Sequence, residues 1–144
     1  MQDIIADASV IIKLFIKEEY TDAALEMINA YVSGDLTITI PSLLVYEVIN
    51  AVKYSKSKKF NTEQIALIAS TLENYAFTTV HPTQEVLKEA IRVSVKHDIS
   101  IYDAVYVALA STRKATLYTA DQKLIEATKL PFVKHIKTFK KPKS

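Results

Sequence analysis

Ile4-Ile5-Ala6-Asp7-Ala8-Ser9-Val10-Ile11-Ile12-Lys13-Leu14-Phe15 carries a short apolar run, a carboxylate at its end, and then a second apolar run. Residues 4–6 read as a buried strand, and residues 9–16 as a short helix that stops near Lys17-Glu18-Glu19. In an open α/β sheet the ligand crevice lies at the carboxyl ends of the strands, so Asp7 stands where it would project into that crevice. The competing reading is that Asp7 only caps the helix after it, a role that Asp and Ser both fill well. The choice turns on whether other acidic residues converge on the same edge.

Outward from this stretch the chain alternates strands and helices. Thr21 is placed to cap a helix over about residues 22–32, with Ala24, Leu25, Ile28 and Val32 at helical spacing, and Gly34-Asp35 breaks it. Residues 36–40 alternate Thr with apolar residues and read as a second strand that Pro41 ends. Ser42 opens a helix over about residues 43–55, and Asn61 or Thr62 caps another over about 63–75. Residues 77–80 read as a third strand. Pro82-Thr83 then introduces a helix over 84–97 whose apolar residues are Val86, Leu87, Ala90, Ile91, Val93 and Val95. Ser100 starts a helix over 101 to about 114. Its middle, 104–110, has no polar side-chain group except the hydroxyl of Tyr106, so it is expected to be buried nearly all round. Residues 116–119 read as a fourth strand, 121–128 as a short helix and 132–136 as a fifth strand, and 136–144 form a basic tail expected to be mobile. Strands separated by helices predict a single α/β domain over residues 1–144, with a central parallel sheet of about five strands flanked by helices.

Composition excludes several kinds of chemistry. The chain has 144 residues, 49% of them hydrophobic, which suits one domain with a sizeable core. It has no apolar run long enough to predict a membrane span. Asp3 stands where a signal peptide would need positive charge, and cysteine is absent, so a cytoplasmic protein is expected. The lack of cysteine also removes disulfides, thiolate catalysis and zinc–thiolate sites. A single glycine, Gly34, cannot build the phosphate-cradling GxxxxGK[ST] or GxGxxG loops, nor the GxSxG elbow. His81, His97 and His135 lie far apart and outside any HExxH pattern. Chemistry is left to carboxylates. The net charge of +2 is unevenly placed: Lys53, Lys56, Lys58 and Lys59 crowd one segment, and Lys134, Lys137, Lys140, Lys141 and Lys143 crowd the tail. Such runs are usually solvated faces; the alternative is a surface that meets phosphates without reading sequence.

Most Asp and Glu residues sit where solvent would find them, but four do not. Asp7 ends the first strand, and Asp121 follows the fourth strand in the same way. Glu47 lies within a helix, with Leu43 and Leu44 one turn before and Asn50 and Ala51 one turn after, so it edges the apolar stripe. Asp103 begins the most hydrophobic helix. Each has a structural alternative: Ser100-Ile101-Tyr102-Asp103 matches a capping box, Asp121 is a possible N-cap, and Glu47 is within reach of Lys13 or Lys53. Buried carboxylates held close together repel and persist where cations balance them. With only Arg92 and Arg113 as arginines and no Lys spaced to serve all four, a hard divalent cation is the remaining candidate, and oxygen ligands favour Mg²⁺ or Mn²⁺.

These residues resemble the motifs of the PIN-domain family, particularly the VapC-type toxin of VapBC toxin–antitoxin pairs, over nearly the whole chain. Asp7-Ala8-Ser9-Val10-Ile11-Ile12-Lys13 resembles the opening D-x-S segment, and Tyr46-Glu47-Val48-Ile49-Asn50-Ala51 the E-x-x-N helix. Ile101-Tyr102-Asp103-Ala104-Val105-Tyr106-Val107-Ala108-Leu109-Ala110 resembles the D-A-x-Y-x-A-L-A helix, and Leu117-Tyr118-Thr119-Ala120-Asp121 the T-x-D segment. The resemblance implies a Mg²⁺- or Mn²⁺-dependent endoribonuclease hydrolysing RNA phosphodiester bonds, a homodimer, inhibited by a cognate VapB-type antitoxin and without a membrane partner. Carried over by position, Asp7, Glu47, Asp103 and Asp121 form the catalytic, metal-binding quartet. Ser9, Asn50, Thr119 and Lys13 form its polar support.

Such a site needs no protein nucleophile, which agrees with the absent cysteine and the lack of any Ser/His arrangement. The alternatives are a PIN-domain nuclease of RNA maturation or decay, and a non-catalytic module binding RNA or protein through its lysines. A phosphoryl-transferring α/β domain, where an Asp also ends the first strand, ranks last because Ala8-Ser9 lacks the D-x-D arrangement.

Overall fold

The computed structural model describes residues 1–143. Five strands, β1 (Gln2–Ala6), β2 (Leu36–Pro41), β3 (Thr78–Val80), β4 (Thr116–Thr119) and β5 (Val133–His135), form one sheet in the order β3-β2-β1-β4-β5. Every neighbouring pair is parallel, with Ile4 opposite Ile38 on one side and opposite Thr116 on the other. The helices are α1 (Ala8–Ile11), α2 (Thr21–Val32), α3 (Leu43–Lys53), α4 (Thr62–Tyr75), α5 (Gln84–His97), α6 (Ile101–Arg113) and α7 (Gln122–Thr128). The parallel α/β architecture is the one the alternation of strands and helices predicts. From β1 the chain builds outward through β2 and β3, then returns to add β4 and β5 on the other side. The order therefore reverses beside β1, which opens a crevice at the carboxyl ends of β1 and β4.

β1 is central and its last three residues are fully buried, as an apolar run flanked by strands on both sides requires. Helix α6 packs against α5 and lies over β1, β2 and β4. Residues 104–110 are buried without exception, in agreement with the expectation from their apolar run. The two edge strands are three residues long, which leaves little open edge for another chain to pair with.

Three local features differ from the sequence reading. The expected helix over 9–16 is a single α-turn followed by a 3-10 turn, Ile12–Leu14. Thr21 does not cap α2; its hydroxyl accepts from the Glu18 amide at 2.9 Å, and the capping position is Tyr20 in the left-handed region at φ 66°. Tyr20 is held there by tertiary packing, its ring edge-on to His135 at 4.8 Å between centroids. At the other end, Ile136–Thr138 form a 3-10 turn and Ile136 and Phe139 are buried, so the first part of the tail is packed. Lys141 reaches Asp35 at 3.3 Å, and Ser144, the tail's last residue, lies outside the described residues. Among the described residues no helix is long and apolar enough to cross a membrane.

Candidate active site

Asp7 leaves the end of β1 at the point where the strand order reverses, its amide donating to the Tyr118 carbonyl of β4 at 3.2 Å. It caps α1 as the simpler reading expects, accepting from the Val10 amide at 3.3 Å. The cap does not exhaust it. Ser9 Oγ donates to Asp7 Oδ1 at 2.5 Å, accepts from the Ala120 amide at 2.9 Å, and lies 3.4 Å from Thr119 Oγ1. Thr119 Oγ1 in turn accepts from the Asp121 amide at 3.0 Å. A network of hydroxyls thus ties the end of β1 to the end of β4, and both supporting residues expected there, Ser9 and Thr119, take part.

Asp7 is only 7% exposed, and burial pushes its carboxyl up to about 6. Donors at Ser9, Thr119 and Val10 pull the other way, and the charge of nearby Asp103 adds to the rise. Asp103, in the first turn of α6, is raised by burial and then by Asp121, while its bond with Ser100 opposes the rise. The Ser100 hydroxyl accepts from the Asp103 amide at 3.1 Å, which is half of the expected capping box. Asp121 caps α7, accepting from the Lys123 amide at 3.0 Å. Glu47 edges the buried stripe of α3 formed by Leu44, Val48 and Val52; burial raises its carboxyl and Asp103 raises it further. Asp103 is the electrostatic centre: Asp7 and Glu47 feel it, and it feels Asp121. The structure brings the four carboxylates into one neighbourhood.

Two expected supports are placed otherwise. Lys13 is buried but turned to Glu18, its Nζ 2.9 Å from Oε1, so it neutralises none of the four. Asn50 lies one turn beyond Glu47 on α3 and is exposed, and among the described residues its side chain makes no hydrogen bond to the acidic residues. The contact not anticipated is Tyr106, whose hydroxyl donates to Glu47 Oε1 at 2.6 Å. Its trace in the sequence is that it carries the one polar group in the apolar run 104–110.

Among the described residues, none of the four carboxylates pairs with Lys, Arg or His. The donors are all oxygen, the set a hard divalent cation prefers, and their charge is otherwise unbalanced. The chemistry of the donors therefore fits such an ion. Among the described residues no three His, Asp or Glu side chains stand as a ready-made coordination group, so the carboxylates as placed are neighbours and not a closed shell.

A family model described as PIN domain matches residues 4–130. Over 125 residues the chain is 32% identical to "Ribonuclease VapC3" of Pyrobaculum aerophilum, covering 85% of this chain and 92% of that protein. Among solved structures, a toxin–antitoxin complex from Klebsiella pneumoniae contains a chain that is 19% identical with a TM-score of 0.68, covering 92% of this chain and 97% of that one. VapC20 of Mycobacterium tuberculosis, described as a sarcin–ricin loop cleaving toxin, is 17% identical with a TM-score of 0.66, covering 86% and 94%. At these identities the structural likeness is one of fold.

Proposed function

The chain belongs to the PIN domain family, and from that premise we propose that it is a Mg²⁺- or Mn²⁺-dependent endoribonuclease, the toxin of a type II toxin–antitoxin pair. The observation that carries this reading is that Asp7, Glu47 and Asp121 each neighbour Asp103 electrostatically, beside the carboxyl edge where the strand order reverses, with no cationic side chain among the described residues paired to any of the four. The likeness to a ribonuclease over most of the chain supports the choice of RNA as substrate.

Asp7, Glu47, Asp103 and Asp121 would hold the cation. When bound, it supplies Lewis-acid stabilisation of charge on the phosphodiester oxygens and makes water a better nucleophile at neutral pH. The chain's own contribution is position and protonation. The Ser9 hydroxyl and the Val10 amide hold Oδ1 of Asp7 and so fix the orientation of the carboxylate that would meet the ion. Thr119 fixes the backbone at Asp121 through its amide. Lys53, Lys56, Lys58 and Lys59 are exposed, form no ion pair among the described residues, and would meet the RNA backbone.

The same reading includes a cognate antitoxin and a homodimer. Leu87, Ile91 and Val95 recur at four-residue spacing on the outer side of α5 and are exposed, a surface suited to a second copy. Sedimentation of the purified chain tests the dimer, and co-purification with the product of an adjacent small reading frame tests the antitoxin.

The deciding experiment is cleavage of a structured RNA by purified protein with Mg²⁺, with Mn²⁺ and with EDTA, with Asp7→Asn in parallel. Cutting that needs the metal and vanishes in the variant is the expected result. Wild-type cleavage retained by Asp7→Asn would overturn the site assignment.

A further inference from the structure

We infer that Tyr106 is a positioning residue that holds Glu47 in place to meet the cation, an inference that rests on the metal-dependent reading above. Glu47 reaches the site on a longer and more flexible stem than the three aspartates, and it comes from the second turn of α3, the helix that follows the carboxyl end of β2. A glutamate free to rotate would spend much of its time away from the other acids. The Tyr106 hydroxyl donates to its Oε1 at 2.6 Å, within the short range of bonds to an ionised acceptor.

Tyr106 is suited to this because it cannot move. It is 2% exposed and stands in the middle of the stretch of α6 that is buried on every side. Its ring has two torsions, both set by that packing, so the hydroxyl is a fixed point. It lies one turn after Asp103 on the same helix, and residues three apart share a face. Helix α6 thereby supplies one carboxylate directly and fixes a second from α3. The bond occupies one oxygen of Glu47, and the other takes no hydrogen bond from a side chain among the described residues.

A purely structural role, in which Glu47 merely satisfies a buried hydroxyl, predicts different behaviour. Tyr106→Phe keeps the ring and removes only the donor. Isothermal calorimetry of Mn²⁺ binding to wild type, Tyr106→Phe, Glu47→Gln and the double variant separates the two. Positioning predicts about 10-fold weaker binding for Tyr106→Phe, the scale of lost support to a metal ligand. It also predicts that the double variant binds no more weakly than Glu47→Gln alone, because the hydroxyl acts only through Glu47. In thermal melts, the rise caused by Mn²⁺ shrinks in Tyr106→Phe, whereas a structural role lowers the melts with and without metal equally. In RNA cleavage, kcat falls and KM holds.

Tyr106→Phe binding Mn²⁺ like wild type, while Glu47→Gln binds weakly, overturns this inference and leaves the proposed function standing. Wild type that binds no Mn²⁺, or Glu47→Gln that binds it normally, overturns the site assignment and this inference with it. Should Tyr106→Phe fail to fold, Glu47→Asp keeps the acid but withdraws it from the hydroxyl, and wild-type affinity in that variant would count equally against the proposal.

Discussion

Asp3 and Asp7 sit four residues apart, one within β1 and one just past its end, yet the protein treats them in opposite ways. At the amino end of the sheet, Asp3 accepts from Thr37 and Thr39 hydroxyls at 2.8 and 2.9 Å, and its other oxygen takes Arg113 Nε at 3.0 Å. Every part of that carboxylate is answered by the chain. At the carboxyl end, Asp7 has hydroxyl and amide donors but no cationic partner among the described residues, and the charge that acts on it is that of another acid, Asp103. One carboxylate is a joint that ties β1 to β2 and α6; the other keeps a charge the fold does not balance. A charge kept at that cost points to a ligand supplied from outside.

The largest expected effect separates the two ends by activity. Asp7→Asn or Asp103→Asn should reduce RNA cleavage by at least about 100-fold, since even outer partners of a metal ligand are worth about 10–100-fold. Asp3→Asn should retain most of the activity of wild type. Equal losses at both ends would show that activity reports only on folding, and the contrast would collapse.

The next effect concerns stability and runs in the reverse sense. In EDTA at pH 7, Asp7→Asn should be more stable than wild type, by up to about 3 kcal/mol for a carboxyl raised from 3.8 to about 6. The sign follows from proton binding: below pH 4 both states hold the proton, whereas between about pH 4 and 6 the folded state holds it and the unfolded state releases it. Wild-type stability from this group is therefore present at low pH and lost as pH rises through that window. Urea unfolding across pH 4–7 measures it, and the loss should be smaller in Asp7→Asn, where only the part due to the raised Glu47 and Asp103 carboxyls remains. Asp3→Ala should go the other way by about 1–3 kcal/mol, leaving the buried Thr39 hydroxyl and the Arg113 guanidinium without their acceptor. A wild-type curve flat in pH, or an unstable Asp7→Asn, would mean that Asp7 too is a structural joint.

Much of this division is legible in the amino-acid sequence. The alternation of strand and helix follows from local apolar patterning, and residues 4–6, 84–97 and 116–119 lie in the elements that pattern predicts. The four carboxylates stand out because each interrupts or ends an apolar run, a purely local signal. What escapes is set by contacts between distant segments. The start of α2 depends on Tyr20 meeting His135, which no capping rule contains. Lys13 looks like a partner for Glu47 until the turn after α1 carries it to Glu18. Helix α5 is apolar on two sides, and periodicity alone does not say that Val86, Ala90 and Val93 face inward while Leu87, Ile91 and Val95 remain exposed. The bond from Tyr106 to Glu47 joins α6 to α3, and its geometry exists only once both pack.

The smallest effect extends the contrast from acids to bases. Arg113 is answered by Asp3, whereas Lys53, Lys56, Lys58 and Lys59 have no acidic partner among the described residues. Lys53 and Lys58 instead lie over the rings of Tyr54 and Phe60, 5.0 and 5.1 Å from the centroids. Those contacts rest the ammonium groups on aromatic faces without neutralising them, so their charge stays available to a phosphate. If unanswered charge marks function at both kinds of surface, replacing each lysine with alanine should weaken RNA binding about equally for every sequence. Each lost contact should also flatten the dependence of log affinity on log salt by about 0.7 for a single strand. Fluorescence anisotropy with Asp7→Asn as the background reads binding without cleavage. A salt slope unchanged after all four replacements would make the lysines a solvated face, and would confine the meaning of unbalanced charge in this protein to its carboxylates.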